Sequence, residues 1–259
     1  MSSGLEGAAF AADYMYWVGI DTDPAATDDE LAEFNEFYAS VHFPEVLQAN
    51  PGFVSATRYR LEAPDPRGDF GPQWLAVYAI RDLAGAERYA VREKDPAAQR
   101  PAYTPGPALW KSMSPRWRVM WRQLIAVGQR AAAPESIFLV GMDTPAGASM
   151  RDVEEFNAYY SDTHLPEVLL NGNYEAGTRL ERYEAFLHRQ PDGCPEFCAV
   201  YEGEGSAPAG PPPGAPTPGP DSWERRETAW RLRYRRVTDQ VVRPEASASA
   251  RPTTQGEKS

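Results

Sequence analysis

Two hydrophobic periods alternate along the chain. Residues 14–20 (YMYWVGI) are apolar at almost every position and rich in aromatic and β-branched side chains, which predicts a strand. From residue 28 the apolar spacing changes to that of a helix. At about 100° per residue Leu31, Phe34, Tyr38, Val41 and His42 fall on one stripe, with Asn35 beside it. Thr27 with Glu30 three positions on predicts a capping box at the start of this helix. Pro44 predicts its end or a kink, because proline lacks the N–H and clashes with the preceding turn. Alternating apolar runs then predict strands over 53–61 and 73–80, a helix over 83–94, a proline-spaced loop over 95–107 and a strand over 117–127. The order β-α-β-β-α-β is the split βαβ arrangement of a ferredoxin-like unit.

The pattern then restarts. FNEFYASVHFPEVL at 34–47 returns as FNAYYSDTHLPEVL at 156–169, so each copy carries one of the three histidines of the chain. Gly19-Ile20-Asp21-Thr22 matches Gly141-Met142-Asp143-Thr144, and His42 matches His164, both at an offset of 122. Thr57-Arg58 and Ala76-Val77-Tyr78 also recur within one residue of that offset, as Thr178-Arg179 and Ala199-Val200-Tyr201. Trp110 and Trp117 match Trp223 and Trp230 at an offset of 113, so about ten residues are missing late in the second copy. Such self-similarity is the mark of internal duplication. The segment 204–220 is dominated by Pro and Gly and replaces the second helix, leaving room only for a short one over 221–228. The expected organisation is a first unit over 13–130 and a second over 131–243, with disordered ends at 1–12 and 244–259.

A four-stranded sheet with both helices on one face leaves the other face bare. Strands such as QWLAVYAI are apolar on both faces, so each sheet needs two covers. The expected fold is α+β: two tandem ferredoxin-like βαββαβ repeats packed into an eight-stranded barrel, with helices outside and a cavity within. Over residues 14–127 and 136–237 the chain resembles the dimeric α/β-barrel superfamily and, through its Y-x-x-x-H-x-P phrase, the EthD-like proteins. The resemblance implies that two subunits have been fused into one chain, a monomer (pseudo-dimer) or homodimer. It also implies small-molecule chemistry without a redox cofactor, by a cyclase, dehydratase or isomerase on an aromatic or polyketide-like natural-product intermediate. A cofactor-independent monooxygenase is an alternative within the same resemblance; so is a non-catalytic barrel that carries a small molecule or haem.

Candidate residues follow from the repeated phrase. His42 and His164 lie on the sheet-facing side, one turn after Tyr38 and Tyr160, at a predicted helix C-terminus where the dipole favours a protonated ring. They are candidate general acid/bases, with the tyrosines assisting and Glu45 and Glu167 placed to orient the rings. A histidine held at a helix end is also an ordinary structural device. Arg58 and Arg179, on strands, would bind an anionic substrate group or stabilise an enolate, or else pair with surface carboxylates. Asn35 and Asn157 flank the stripe as candidate substrate contacts. Trp74, Tyr78 and Tyr201 are candidate lining for a flat ligand, within an aromatic set that includes Tyr16, Trp117, Trp121, Trp230 and Tyr234; core packing accounts equally for such residues.

Charge and motifs narrow the field. A net charge of −11 argues against nucleic acid and anionic membranes as partners. No apolar run reaches the ~20 residues of a membrane helix. The N-terminus lacks the features of a signal peptide, so a cytoplasmic location is expected. Two cysteines form no disulfide framework, and Cys194-x3-Cys198 with His188 falls short of a zinc site. No metal is expected. Dinucleotide, nucleoside triphosphate and serine-hydrolase motifs are missing.

Overall fold

The computed structural model describes residues 8–63, 65–189, 193–203 and 217–244. Eight long antiparallel strands close on themselves: β1 (Tyr14–Asp21), β2 (Phe53–Ala63), β3 (Trp74–Ile80), β4 (Ser114–Gly128), β5 (Ser136–Asp143), β6 (Ala176–His188), β7 (Phe197–Gly203) and β8 (Glu227–Arg236). Around the barrel they run β3-β1-β4-β6-β7-β5-β8-β2, and β2 pairs back onto β3. Residues 14–128 therefore form a sheet in the order β2-β3-β1-β4, and residues 136–236 one in the order β6-β7-β5-β8. Two seams join these halves. β4 meets β6 from Trp117 opposite His188 to Gly128 opposite Ala176, and β2 meets β8 from Tyr59 opposite Arg236. A short β9 (Val241–Val242) continues along β2 beyond the reach of β8.

The helices lie outside. α1 (Asp28–Phe37) starts at the expected capping box, with Thr27 accepting from the Glu30 amide and the Glu30 carboxylate accepting from the Thr27 amide at 2.8 Å. It does not stop at Pro44. One π-helical turn, Tyr38–His42, follows and leads directly into α2 (Phe43–Ala49). The Phe43 amide bonds to the Tyr38 carbonyl, so the turn holds one residue more than an α-turn. Pro44 then falls in the first turn of the new segment, where no amide is needed. The second half does the same: α5 (Met150–Tyr159), a π-turn at Tyr160–His164, and α6 (Leu165–Gly172) with Pro166 in its first turn. α3 (Leu83–Lys94) matches its expected span. α4 (Ala108–Ser112) follows the expected loop, in a stretch to which the pattern assigns no element, and α7 (Asp221–Glu224) is shorter than expected because β8 begins at Glu227. Residues 204–216 and 245–259, expected to be irregular, lie outside the described residues.

The barrel interior is a packed core rather than the expected cavity. Trp17, Trp117, Trp121, Trp230, Tyr59 and Tyr234 fill it, each 1% exposed or less. Trp117 and Trp230 come from opposite halves and stack at 5.2 Å. Their room comes in part from the matching Gly19 and Gly141. A Cβ at Gly141 would sit 2.5 Å from the Trp230 ring, and one at Gly19 would sit 3.0 Å from Trp117 and 2.4 Å from Pro72. Gly141 is thus a seat for the Trp230 indole, whereas Gly19 makes room chiefly for Pro72. The N-terminal residues Ala8, Ala9 and Phe10, grouped with a disordered end on sequence grounds, are buried. Phe10 enters the barrel mouth against Trp17 and Tyr59, and its carbonyl accepts hydrogen bonds from Arg130 and Thr178.

Arg130, which bonds the Phe10 carbonyl, lies 3.6 Å from Glu202, a carboxylate 2% exposed. Burial pushes its carboxyl up to about 7, with Arg130 opposing. A carboxyl raised in the folded state binds protons that the unfolded chain has released, so stability falls as pH rises from the unfolded value near 4.5 to about 7. Glu202→Gln removes this penalty. The variant is expected to be more stable than the parent at pH 8 by on the order of 2–3 kcal/mol, an advantage that vanishes below about pH 4.5. Thermal melts at both pH values check this; a variant equally or less stable at pH 8 refutes it. Among the described residues no helix is long and apolar enough to cross a membrane.

Candidate functional site

The π-turns decide where the repeated phrase puts its side chains. Tyr38 and His42, like Tyr160 and His164, sit at the ends of the extra turn and point between helix and sheet. This is the outer face of the barrel, so the two phrases serve two separate places, one per half. The ring centroids of Tyr38 and His42 are 4.9 Å apart, and those of Tyr160 and His164 are 5.0 Å apart. Neither histidine ends a helix, because α2 and α6 continue beyond them, and the expected dipole effect does not apply. Burial instead holds both imidazoles down to about 4, so both are neutral at pH 7.

In the first half this place is sealed. His42 is buried against Trp110 (4.7 Å), Tyr38 and Tyr103 (5.4 Å). Tyr16, Phe53 and Tyr78 pack beneath Tyr89 of α3, with Tyr16 and Tyr89 at 4.7 Å. Arg58 is 1% exposed, and its guanidinium lies over Tyr38 (3.9 Å), Phe34 (4.6 Å) and Trp74 (4.7 Å). Cation–π contact of this kind contributes about 2 kcal/mol when desolvated. Burial lowers the Arg58 pKa to about 10. Its two terminal nitrogens have no hydrogen-bond partner among the described residues, and neither has the Asn35 side-chain oxygen.

The second half gives partners to both terminal nitrogens of the matching arginine. Arg179, also fully buried, donates to the Asn157 carbonyl (3.1 Å), the Asn157 side-chain oxygen (2.7 Å) and Ser161 Oγ (3.1 Å), and it lies 4.3 Å over Tyr160. The first half has Ala39 where Ser161 stands. Ala39→Ser is expected to give Arg58 an acceptor and to stabilise the fold by about 1–2 kcal/mol, read as a rise in Tm; an unchanged or lower Tm refutes the pairing.

The second half is also open. A cleft of about 430 Å3 lies between α5–α6 and the outer face of the sheet, lined by Phe138, Tyr160, His164, Tyr174, Tyr201 and Trp223, with Arg226, Arg231 and Arg233. His164 is half-buried, with its ring 4.4 Å from Trp223. Tyr160 and Tyr201 share a hydrogen bond of 3.1 Å, and burial raises the Tyr160 hydroxyl to about 12. In the first half α3 covers the equivalent face; among the described residues only the short α7 stands between β7 and β8.

The predicted residues therefore divide. His164, Tyr160 and Tyr201 line one open cleft with Arg179 and Asn157 directly behind. His42, Tyr38, Arg58, Trp74 and Tyr78 form a closed aromatic cluster, with Asn35 at its edge. Trp117, Trp121, Trp230 and Tyr234 belong to the barrel interior. Glu45 and Glu167 do not orient the histidines. Glu45 accepts from the amide and hydroxyl of Thr104, and Glu167 from those of Thr217. Those threonines open a second repeated phrase, T-P-G-P-x-x-W, at 104–110 and 217–223. Its tryptophan packs on the histidine in each half. The offset of 113 between Trp110 and Trp223 carried that signal; the rest of the phrase is hidden at the edge of the Pro/Gly-rich segment. Cys198 is buried in the barrel, Cys194 packs at its edge and both are free thiols. Among the described residues no cluster of three or more His, Cys, Asp or Glu is placed to hold a metal.

No family model matches the sequence, and no curated protein matches it. Among solved structures, an anthrone oxidase-like protein is 14% identical with a TM-score of 0.48, over 94% of this chain and 98% of that one. A chlorite dismutase-like protein is 13% identical with a TM-score of 0.45, over 87% and 94%. A monooxygenase-like protein from Lactobacillus acidophilus is 8% identical with a TM-score of 0.37, over 73% and 74%.

Proposed function

We propose that the chain is a small-molecule enzyme that removes or relocates a proton on a flat aromatic or polyketide-like compound, in the manner of a cyclase, dehydratase or isomerase. One observation carries this reading: in the second half His164 and Tyr160 of the repeated phrase border an open cleft, whereas their counterparts His42 and Tyr38 are buried. The neutral imidazole of His164 is the base that accepts the proton. In the Tyr160–Tyr201 pair one hydroxyl donates to the other, which leaves one O–H to donate to the oxygen on which negative charge develops. Arg179, stacked behind Tyr160, favours that charge. The matching strand orders of the two halves, and their matching π-turns, support a tandem ferredoxin-like repeat of the EthD-like kind as the origin of the chain.

The test is deuterium incorporation from D2O into an aromatic ketone with an acidic C–H, such as anthrone, followed by NMR with and without protein. Exchange is expected to rise through about pH 4, as His164 loses its proton, and to stay level above. No acceleration over buffer across a panel of such ketones would remove the proposal. Parallel oxygen-electrode traces separate proton transfer alone from the monooxygenase alternative.

A further inference from the structure

His164 has no hydrogen bond that aims its ring. Its Nδ1 is buried and has no partner among the described residues, whereas a working imidazole is ordinarily oriented by an acceptor on the nitrogen that faces away from the substrate. Packing takes that part here. The Trp223 ring lies 4.4 Å from the His164 ring, and those of Tyr160 and Tyr159 lie at 5.0 and 6.4 Å. Trp223 is 5% exposed, yet it belongs to a helix of four residues, too short to fix its own place.

That place is set from α6, the helix that follows His164. Glu167 stands three residues after His164, on the same side of the helix. It accepts from the Thr217 amide at 3.3 Å and from the Thr217 hydroxyl, and the Tyr159 hydroxyl donates to the Thr217 carbonyl. The turn that follows is tied as well: the Gly219 amide donates to the Glu224 carboxylate at 3.2 Å, and the Trp223 amide to the Pro220 carbonyl at 2.9 Å. A Cβ at Gly219 would stand 2.3 Å from the indole, so the turn lies directly on the ring. The contacts close on themselves, from His164 along α6 to Glu167, across to Thr217 and back through the indole. The first half repeats them. Glu45 accepts from Thr104, a Cβ at Gly106 would stand 2.7 Å from Trp110, and Trp110 packs on His42.

We infer that Thr217 and Gly219, with Glu167, are positioning residues: they hold Trp223 on His164, and the indole supplies the orientation and the shelter from water that no hydrogen bond gives this ring. Burial is the main influence that keeps the imidazole neutral; Arg226 and Arg179 act in the same sense, and Glu167 acts against them. An indole that swings away admits water, and a better solvated imidazole takes up its proton at higher pH. The kinetic consequence rests on the reading of His164 as the base of this cleft; the effect on the ring itself does not.

The experiment uses the full chain and variants that change no charge, with the titration of His164 followed by NMR of its ring protons. Thr217→Val keeps the size of the side chain but loses the hydroxyl that Glu167 accepts from, and Gly219→Ala pushes on the indole. Each is expected to lift the His164 midpoint from about 4 toward the ordinary 6.5, by about one pH unit or more, and to slow proton exchange on a responsive ketone by about tenfold or more. Thr217→Ser, which keeps the hydroxyl, is expected to match the parent in both. Thr104→Val breaks the matching link in the first half and is expected to leave His164 and the exchange rate as they are. An unmoved His164 midpoint in either Thr217→Val or Gly219→Ala overturns the inference. So does a shift in Thr217→Ser or Thr104→Val as large as that in Thr217→Val. A midpoint that moves while exchange stays at the parent rate upholds the positioning and removes His164 as the base, so that the functional reading falls alone.

Discussion

His164→Ala is expected to slow proton exchange on a responsive ketone by roughly 100-fold to 10,000-fold, the usual worth of a general base. His42→Ala is expected to leave that rate nearly unchanged. The two histidines match in sequence, in the π-turn that holds them and in the tryptophan that covers them. They differ in what lies on the other side. His164 borders an open cleft, whereas His42 is enclosed by Trp110, Tyr103 and Tyr38. Loss of the His42 ring therefore acts on packing, at a cost of about 1–3 kcal/mol of stability. Exchange rates and thermal melts on both variants separate the outcomes. A rate loss in His42→Ala as large as in His164→Ala would place chemistry in the first half and sink the assignment.

Phe10→Ala is expected to cost about 3–5 kcal/mol of stability, the range for removing a fully buried aromatic ring. The ring closes one end of the barrel against Trp17 and Tyr59, and the backbone on either side is fastened: the Ala9 amide bonds to the Ala132 carbonyl, and the Phe10 carbonyl takes two donors. Its loss also opens a path for water to Glu202, easing ionisation of that carboxyl. The stability of the variant should therefore depend less on pH between about 4.5 and 7 than that of the parent. Equilibrium denaturation at two pH values reads both effects. A variant within experimental error of the parent would show that Phe10 is not a structural element of the barrel.

Strand positions were legible because each strand of a two-layer barrel is apolar on both faces, and the restart at an offset of 122 pointed to closure of two sheets. The phrase around His42 and His164 correctly placed two histidines and two tyrosines against the sheet. What the pattern did not reveal follows from packing across long sequence distances. Seven of eight residues in YMYWVGID and its neighbours are apolar whether they face the barrel or the helices, so Trp117 and Tyr201 look alike in sequence although one is core and the other lines the cleft. The π-turn was hidden because proline after an apolar stripe ordinarily ends a helix; one extra residue in the turn lets the helix pass. Phe10, a lone aromatic in a run of small residues, was grouped with the disordered end. The cleft lies on the face that α3 covers in the first half, and the Pro/Gly-rich segment in place of that helix, with the loss of about ten residues, was its trace in the sequence.

Both seams of the barrel, β4 with β6 and β2 with β8, are made within one polypeptide, and the Trp117–Trp230 stack bridges them. A barrel assembled from separate chains comes apart on dilution, because its stability includes a mass-action term. Here the partner sheet is always present, so closing the barrel itself carries no such term. The same linkage lifts a constraint of symmetry. In a two-fold assembly of identical subunits every substitution is made twice, once in each site. One chain is free of that rule: in the first half aromatic side chains close over His42, and in the second a cleft lies open beside His164.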